Sequence, residues 1–327
     1  MSYADLQALG QKRLDAVCEI GFGARLWPKQ REIAIALSER RSRVVVPSCN
    51  ASGKTFLAAR LALAFYWTYP DAKVITTSST EPQLKDALWA EIRTAYESAN
   101  VPIPGKLPPA DMWLRDGNNH FIKGTVARHR EGFQGIHSAH KLIIADEASS
   151  IDEEAASGIN GLLSTGDARL LVILNPTSDD SWAADQAGSN LSTVIKITAF
   201  DTPHLSQFDN TYIQDRWGQE LPTIRKPVAQ SIPEGSNLTS ADWLDEMVAN
   251  GSGPGTVEWT NRVMAEFWSS AESQLIIAAW INLAKKTERD PGFRVLGIDL
   301  APHGDDENVI AYRVGNALIR VEALPSI

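Results

Sequence analysis

The sequence has few cysteines, no long uninterrupted apolar run and no excess of basic residues. Only Cys18 and Cys49 occur among 327 residues, too few for a disulfide framework or a zinc knuckle. The longest apolar stretch, residues 56–67, is interrupted by Arg60 and is shorter than the roughly 20 residues that span a bilayer. We therefore expect a soluble protein of a reducing compartment, without a targeting segment at its N-terminus.

Acidic residues outnumber basic ones, with 40 Asp and Glu against 31 Lys and Arg and a formal net charge of −9. This balance excludes a cationic coat for nucleic acid, although a local basic surface remains compatible with it. Hydrophobic residues make up 43% and charged residues 22%, close to the average of globular proteins. At roughly 100 to 200 residues per domain, we expect two or three domains with a sizeable core.

Apolar runs alternate with helical patterns over the first 200 residues. Residues 43–47 predict a buried strand, and residues 55–67 predict a helix that is apolar on nearly all sides. Further strands are predicted at 73–79, 142–145 and 170–174. This alternation favours an α/β fold with a mostly parallel sheet, helices on both faces and ligands beyond the carboxyl ends of the strands.

The other segments of the chain show less regular patterns of apolar residues. Residues 1–40 predict two helices, residues 82–99 one helix with a packed face, and residues 116–119 a hairpin turn. Prolines punctuate short helical pieces from 201 to about 290, which indicates a smaller appended subdomain. A β domain is predicted to begin near Phe293, with strands at 308–314 and 317–324. Its 36 residues, 292–327, are fewer than the roughly 50 of a small domain, so we expect it to be incomplete.

A phosphate-binding loop is predicted at Ser48–Thr55, with the sequence S-C-N-A-S-G-K-T between a strand and a helix. Its backbone N–H groups and the helix N-terminus behind them are suited to surround a polyphosphate. We expect Lys54 to reach the β and γ phosphates and the Thr55 hydroxyl to bind Mg²⁺. The predicted nucleotide contacts are Ser48, Asn50, Ala51, Ser52, Gly53, Lys54 and Thr55. Ser48 replaces the first glycine of the G-x-x-x-x-G-K-[ST] pattern, and the alternative is an ordinary strand-to-helix turn.

Adjacent carboxylates follow the apolar run Leu142–Ala145. Asp146 is predicted to hold the hydrated Mg²⁺, and Glu147 to orient and deprotonate an attacking water. The alternative is a pair of acids that caps a strand for solubility.

Two further polar residues are candidates for contact with a nucleotide. Asn175, in the sequence L-N-P-T after the strand at 170–174, is predicted to sense the γ-phosphate, with Thr177 as second choice. The alternative for this segment is a simple turn. Gln30 is predicted to pair with adenine, or else to be a solvated residue at the start of a helix. We expect structural or surface roles for His137 and His140, because no further ligands complete a zinc site.

The order of these motifs resembles the large terminase subunit of tailed bacteriophages over about residues 24 to 320. The resemblance rests on S-C-N-A-S-G-K-T, V-I-T-T-S-S, G-F-Q-G-I-H, L-I-I-A-D-E-A, L-N-P-T and F-D-T-P-H. It continues through R-V-M-A-E-F at 262–267 and G-I-D-L-A-P-H-G-D-D at 297–306. The implied fold is a P-loop NTPase of the RecA/ASCE type. The implied domains are an ATPase core at 1–200, a lid subdomain at 201–290 and a truncated RNase H-like nuclease at 291–327.

The resemblance implies an ATP-hydrolysing motor that moves double-stranded DNA into a procapsid. Such motors assemble as a ring on the portal protein and work with a small terminase subunit, here in the cytoplasm of a bacterial host. An arginine from a neighbouring subunit commonly completes each ATP site. Gln134 stands where related proteins often have that arginine, so Arg128 and Arg130 are the nearest candidates.

For the nuclease, the resemblance implies several clustered acids that hold Mg²⁺ or Mn²⁺. Asp299 supplies the first, and Asp305 or Asp306 assists. Because further acids are expected from strands beyond this sequence, we expect endonuclease activity to be absent or weak.

Two other functions stay open at this point. A helicase-like, nucleic-acid-dependent ATPase shares the glutamine, the phosphate loop and the D-E-A motif, but nothing after Asp201 resembles a second motor domain. An inactive prophage remnant is the non-enzymatic alternative. The intact set of Lys54, Thr55, Asp146 and Glu147 argues against it.

Overall fold

The computed structural model describes residues 1–126, 136–230, 237–268, 292–299 and 308–324. The chain divides into two compact units, Met1–Ser270 and Ala271–Ile327. In the described residues, no helix is long and apolar enough to cross a membrane.

The first unit contains helices on both faces of one sheet. Its α-helices are α1 (Tyr3–Gly10), α2 (Leu14–Phe22), α3 (Pro28–Ser38), α4 (Lys54–Thr68), α5 (Ala90–Glu97), α6 (Glu153–Leu162), α7 (Trp182–Gly188), α8 (Asn210–Trp217), α9 (Ala241–Ala249) and α10 (Val257–Arg262). Its strands are β1 (Arg43–Pro47), β2 (Lys73–Ser78), β3 (Trp113–Asp116), β4 (His120–Val126), β5 (His140–Ala145), β6 (Asp167–Leu174) and β7 (Thr193–Val194).

The seven strands form one sheet in the order β3-β4-β2-β5-β6-β1-β7. Every neighbouring pair is parallel except the hairpin β3–β4. The α/β fold class predicted from the sequence is therefore confirmed. Strands β5, β6 and β1 are consecutive neighbours, so the loops that follow them meet at one edge of the sheet.

The sheet separates two apolar cores because successive side chains of a strand point to opposite faces. In β1, Val44 and Val46 join a core with the buried helix α4, whereas Val45 joins a core with α6 on the other face. Residues 57–68 of α4 are all buried, which matches the prediction of a helix that is apolar on nearly all sides.

Three elements differ from their predicted bounds. The first 40 residues form three helices rather than two, since α1 ends at Gly10 and α2 begins at Leu14; a side chain at Gly10 would lie 2.6 Å from both Thr68 and Val17. Residues 82–99 form a π-helical segment, Gln83–Trp89, followed by α5, rather than one regular helix. Strand β6 begins at Asp167, three residues before its apolar run, because the polar residues Asp167 and Arg169 are buried together.

The described residues 199–230 and 237–268 continue in the first unit as short helices and irregular segments, as the proline pattern predicts. The second unit contains the strands β8 (Arg294–Asp299), β9 (Asn308–Val314) and β10 (Ala317–Leu324), antiparallel in the order β10-β9-β8. A turn at Gly315 and Asn316 joins β9 to β10. The domain boundaries at 200 and 290 and the nuclease character of the last segment stay predictions.

Candidate nucleotide site

The candidate site lies at the carboxyl edge of the sheet, where the loops after β1, β5 and β6 meet. The predicted phosphate loop follows β1 and leads into α4 at Lys54. Asp146 and Glu147 follow β5, and Asn175 follows β6. In open α/β sheets, this edge is where ligands bind. Residues from three distant parts of the sequence thus face one another.

The amine of Lys54 connects these three loops. Its Nζ lies 2.7 Å from the Asn175 Oδ1 and 3.3 Å from the Glu147 Oε1. The Asn175 Nδ2 donates a 2.8 Å hydrogen bond to the Ser48 carbonyl. The Lys54 side chain is only 10% exposed. Its positive charge therefore has little contact with water and lies beside Asn175 and Glu147 at the mouth of the loop. An ammonium group in this position is suited to bind an anion in place of the Glu147 carboxylate.

Ser48 takes the place of a glycine without strain. It is fully buried, its N–H and its hydroxyl both donate to the Leu174 carbonyl, and its φ is not positive. Glycine is favoured where φ is positive, as it is at Gly53 with 74°. A side chain on Gly53 would also lie 2.8 Å from the Gln30 Nε2. The departure from the standard pattern is therefore compatible with a phosphate loop.

Asp146 and Glu147 differ sharply in their surroundings. Asp146 is 2% exposed and its carboxylate accepts the Glu147 N–H at 2.9 Å. Burial, together with the charge of Glu147, raises the pKa of Asp146 to about 7 although Lys54 acts in the opposite direction. Glu147 has a left-handed backbone with φ of 49°, which is strained for a residue with a side chain. The Glu147 carboxylate is more exposed than that of Asp146 and contacts Lys54. The two adjacent acids therefore lie in different environments.

Gln30 is buried, not solvated, with 3% exposure. Its Nε2 donates a 3.2 Å hydrogen bond to the Gly53 carbonyl. This contact holds the phosphate loop from the side of α3. Recognition of adenine by Gln30 stays a prediction.

A segment that sequence reasoning did not single out covers the other side of the phosphate loop. Thr239 donates from its N–H to the Ala51 carbonyl at 3.1 Å, and its hydroxyl donates to the Asn50 carbonyl. The Asn50 N–H donates in turn to the Arg262 carbonyl at 3.0 Å. A pocket of about 430 Å³ adjoins these contacts; its lining includes Asn50, Asn175 and Trp243. No local motif marks Thr239, because its partners lie almost 190 residues earlier.

The other predicted site residues are placed as follows. Thr55 is the second residue of α4 and is half-buried. Thr177 is exposed, and its carbonyl accepts the Trp268 N–H, so Asn175 is the residue of this segment that contacts Lys54. His140 lies at the opposite edge of the sheet, stacked on Tyr69 with 4.7 Å between ring centroids. His137 is not part of a metal cluster, since no group of three or more metal-ligating side chains occurs in the described residues.

Several predicted residues lie outside the described residues. They are the candidate arginines Arg128 and Arg130, the neighbouring Gln134, and the acids Asp305 and Asp306. Asp299 ends β8 and pairs through its backbone with Val309, but its side chain is not described.

Comparison with known proteins places this site in a family. The model of a family described as terminase large subunit, T4likevirus-type, N-terminal, matches residues 48–274. The probable terminase large subunit of Enterobacteria phage P7 is 26% identical over 191 residues, which cover 56% of this chain and 39% of that protein. The matched region therefore spans about two fifths of that relative.

Solved structures of large terminases share the fold. The HK97 bacteriophage large terminase matches with a TM-score of 0.56 and 14% identity, covering 93% of this chain and 64% of that one. The large terminase of a thermophilic bacteriophage matches with a TM-score of 0.52 and 12% identity, covering 89% and 66%. The resemblance seen in the sequence is confirmed, and the chain belongs to the terminase large subunit family through the N-terminal domain of that family.

Proposed function

We propose that the first unit binds ATP at the loop 48–55 and hydrolyses it. The observation that carries this proposal is the position of the Lys54 amine, which lies between Asn175 and Glu147 at the mouth of the phosphate loop. Membership of the terminase large subunit family supports the same activity. Phosphoryl transfer depends mainly on positioning and on neutralisation of charge, and this arrangement offers both.

Each residue of the site has a separate task in this proposal. The loop amides and Lys54 bind the phosphates, and Asn175 holds Lys54 in place. In the absence of nucleotide, Glu147 is paired with Lys54. When phosphates replace this contact with Lys54, the Glu147 carboxylate becomes available to orient the attacking water and accept its proton. Exposure suits this role, because Glu147 is reached by solvent whereas Asp146 is not.

The residues present also fit a magnesium ion that arrives with the nucleotide. Mg²⁺ usually takes one or two protein oxygens and completes its shell with phosphate and water. The Thr55 hydroxyl and the Asp146 carboxylate are oxygen donors of this kind. The pKa of Asp146 is raised because its carboxylate is buried beside Glu147 and Lys54 compensates this only in part. A divalent ion would supply the missing positive charge. An ion held by Thr55 and Asp146 would supply positive charge against the phosphates.

The coupled process that we propose is packaging of double-stranded DNA by a viral motor in the cytoplasm of a bacterial host. The partners in this proposal are the portal protein, a small terminase subunit and further copies of this chain in a ring. Arg128 or Arg130 is the proposed arginine that acts on a neighbour. With a net charge of −9, the isolated chain is expected to bind DNA weakly, because phosphate contacts need clustered cations.

The segment 201–290 is proposed as the lid of the motor, and 291–327 as the start of a nuclease domain. Asp299 at the end of β8 is the proposed first metal ligand of that nuclease. A two-metal site needs several clustered acids, and Asp305 or Asp306 is proposed to assist Asp299.

The substitution Glu147→Gln tests the proposed ATPase. The glutamine keeps the shape of the side chain but cannot accept a proton, so turnover should fall roughly 100-fold or more. Binding of a slowly hydrolysed ATP analogue with Mg²⁺ should change by less than about threefold. Phosphate release and calorimetric titration measure the two effects.

Glu154→Gln is the matched control, because Glu154 is an exposed acid in the first turn of α6. It should hydrolyse ATP like the parent. Turnover by Glu147→Gln equal to that of the parent would contradict the assigned role. Failure of the parent to bind the analogue would contradict the proposed function as a whole.

A further inference from the structure

Thr239 is attached to the phosphate loop by two hydrogen bonds to consecutive carbonyl groups. Its N–H donates to the Ala51 carbonyl at 3.1 Å, and its hydroxyl donates to the Asn50 carbonyl. The residue is 3% exposed. The Cys49 Sγ lies 3.8 Å from the same hydroxyl. Thr239 is therefore enclosed by the first half of the loop.

These bonds fix the direction of the loop amides. In a trans peptide plane, the carbonyl of one residue and the N–H of the next point to opposite sides. Because the carbonyls of Asn50 and Ala51 point towards Thr239, the N–H groups of Ala51 and Ser52 point away from it. Within the described part of the chain, neither of these N–H groups donates a hydrogen bond to the protein. They are oriented as donors for a ligand.

Two further observations concern the same two residues of the loop. Ser52 is 1% exposed, and its hydroxyl has no hydrogen-bond partner among the described residues. Ala51 has a left-handed backbone with φ of 49°, a conformation that is unfavourable for residues other than glycine. Such strain persists only where neighbours enforce it, and the bonds from Thr239 act directly on the peptide groups on both sides of Ala51.

Thr239 itself lies in the segment 201–290 that is proposed as the lid, and it contacts two other parts of that segment. Its carbonyl lies 3.2 Å from the His204 Nδ1. The next residue, Ser240, caps α9 through a 3.3 Å bond from the Trp243 N–H. A shift of α9 is thus passed to the loop through one intervening residue.

We propose that Thr239 is a positioning residue, which orients the amides of Ala51 and Ser52 towards the nucleotide phosphates and couples the phosphate loop to α9. The inference rests on the proposed function, since it assumes that the loop binds a polyphosphate. Coupling of this kind is reciprocal: nucleotide binding fixes the position of the 237–249 segment, and displacement of that segment lowers nucleotide affinity.

The substitution Thr239→Val removes the hydroxyl at nearly constant shape. It should weaken binding of Mg-ADP about tenfold, which corresponds to about 1.4 kcal/mol. Inorganic tripolyphosphate, used as a competitor, should lose affinity by a similar factor because the affected amides bind phosphate. In steady-state hydrolysis, KM should rise more than kcat falls, because the chemical groups Lys54 and Glu147 are untouched.

Two variants control for a general loss of structure. Thr239→Ser restores the hydroxyl and should recover affinity to within about threefold of the parent. Thr223→Val makes the same chemical change at an exposed position and should leave both affinities unchanged. Should Thr239→Val show no cooperative melting transition, Thr239→Ala carries the same expectation with a smaller side chain.

The outcomes separate this inference from the proposed function. If the parent binds neither Mg-ADP nor tripolyphosphate, the proposed function fails and the inference with it. If the parent binds both and Thr239→Val binds both equally well, Thr239 does not position the loop. If only Mg-ADP is weakened, or Thr239→Ser fails to recover affinity, the effect does not act through the phosphate amides and the inference is overturned.

Discussion

Two buried aspartates lie at opposite edges of the same parallel sheet, and their surroundings are opposite in kind. Asp167 begins β6 at the amino edge, whereas Asp146 follows the neighbouring β5 at the carboxyl edge. They are 3% and 2% exposed. Both have therefore lost most of their contact with water, and the difference between them lies in the charges and donors that replace it.

At the amino edge the buried charge is compensated. Arg169 contacts Asp167 through Nη2 at 2.8 Å, and the Arg41 N–H donates to its other oxygen at 2.8 Å. Burial acts to raise the pKa of Asp167, but these hydrogen bonds and the charge of Arg169 together lower it. Arg169 also donates to the carbonyls of Leu37 and Ser38. This network stabilises the fold. It leaves few hydrogen-bonding groups or charges unpaired at the amino edge for a ligand to contact.

At the carboxyl edge the buried charge is not compensated. Asp146 accepts a hydrogen bond from the Glu147 N–H, lies beside the second acid, and has a raised pKa. Ala51 and Glu147, both at this edge, have positive φ. Uncompensated charge and backbone strain lower the stability of the free protein and favour a ligand that removes them. The comparison indicates that one edge stabilises the fold while the other is suited to bind a ligand.

The largest effect is expected at the amino edge, for Arg169→Met. It leaves Asp167 buried without its partner, so the free energy of unfolding should fall by about 3 to 5 kcal/mol, measured by urea titration. Because the pKa of Asp167 is lowered in the folded state, the loss should be full at neutral pH and should shrink as the pH falls through the acid range.

The double variant Arg169→Met with Asp167→Asn should recover part of this stability, because it removes the unpaired charge. A single variant that loses less than about 1 kcal/mol would show that the amino edge is not the stabilising one.

Asp146→Asn should change the free energy of unfolding in the opposite direction, so that the variant is more stable than the parent. The folded pKa of about 7 lies above the ordinary value of 3.8, so the native state holds an extra proton between these values and the parent loses stability as the pH rises through them. Without Mg²⁺, the variant should be more stable than the parent by a few kcal/mol at pH 8, and the two should converge as the pH falls to about 4. Urea titrations at several pH values measure this. A variant less stable at pH 8 contradicts the comparison.

Asn175→Ala should have the smallest effect of the three and should act on activity rather than stability. It removes the 2.7 Å contact to Lys54 and the donor to the Ser48 carbonyl. We expect kcat/KM for ATP to fall about tenfold, the cost of roughly one hydrogen bond to a charged group. Thr177→Ala, at an exposed position of the same segment, should match the parent. Equal activity in both variants would support a simple turn.

The main features of the sheet and the site were predictable because each has a local pattern. Apolar runs such as Val44–Val46 and Leu142–Ala145 indicate buried strands by themselves, and the polar residues after them follow from the rule that ligands bind at carboxyl ends. The early start of β6 was not predictable, because Asp167 and Arg169 are of polar types and only their mutual contact allows them to be buried. The close packing of Gly10 against Thr68 was not predictable either, because Thr68 lies 58 residues further along the chain.

The site shows the same division. Lys54, Asp146 and Asn175 were found from their own neighbours in the sequence, whereas the contact of Thr239 with the loop was not, since Thr239 lies in an irregular segment without a recurring motif. Gln30 was found, but its burial and its bond to Gly53 were not foreseen.

The sequence by itself determined which residues form strands, which loop is suited to bind phosphate, and which acids follow β5, because short-range periodicity and residue type decide these features. The tertiary structure alone decided which buried charges are paired and which are left for a ligand. Pairing depends on distances between side chains that are far apart in the chain, and a buried carboxylate stabilises the fold or favours a bound cation according to those distances.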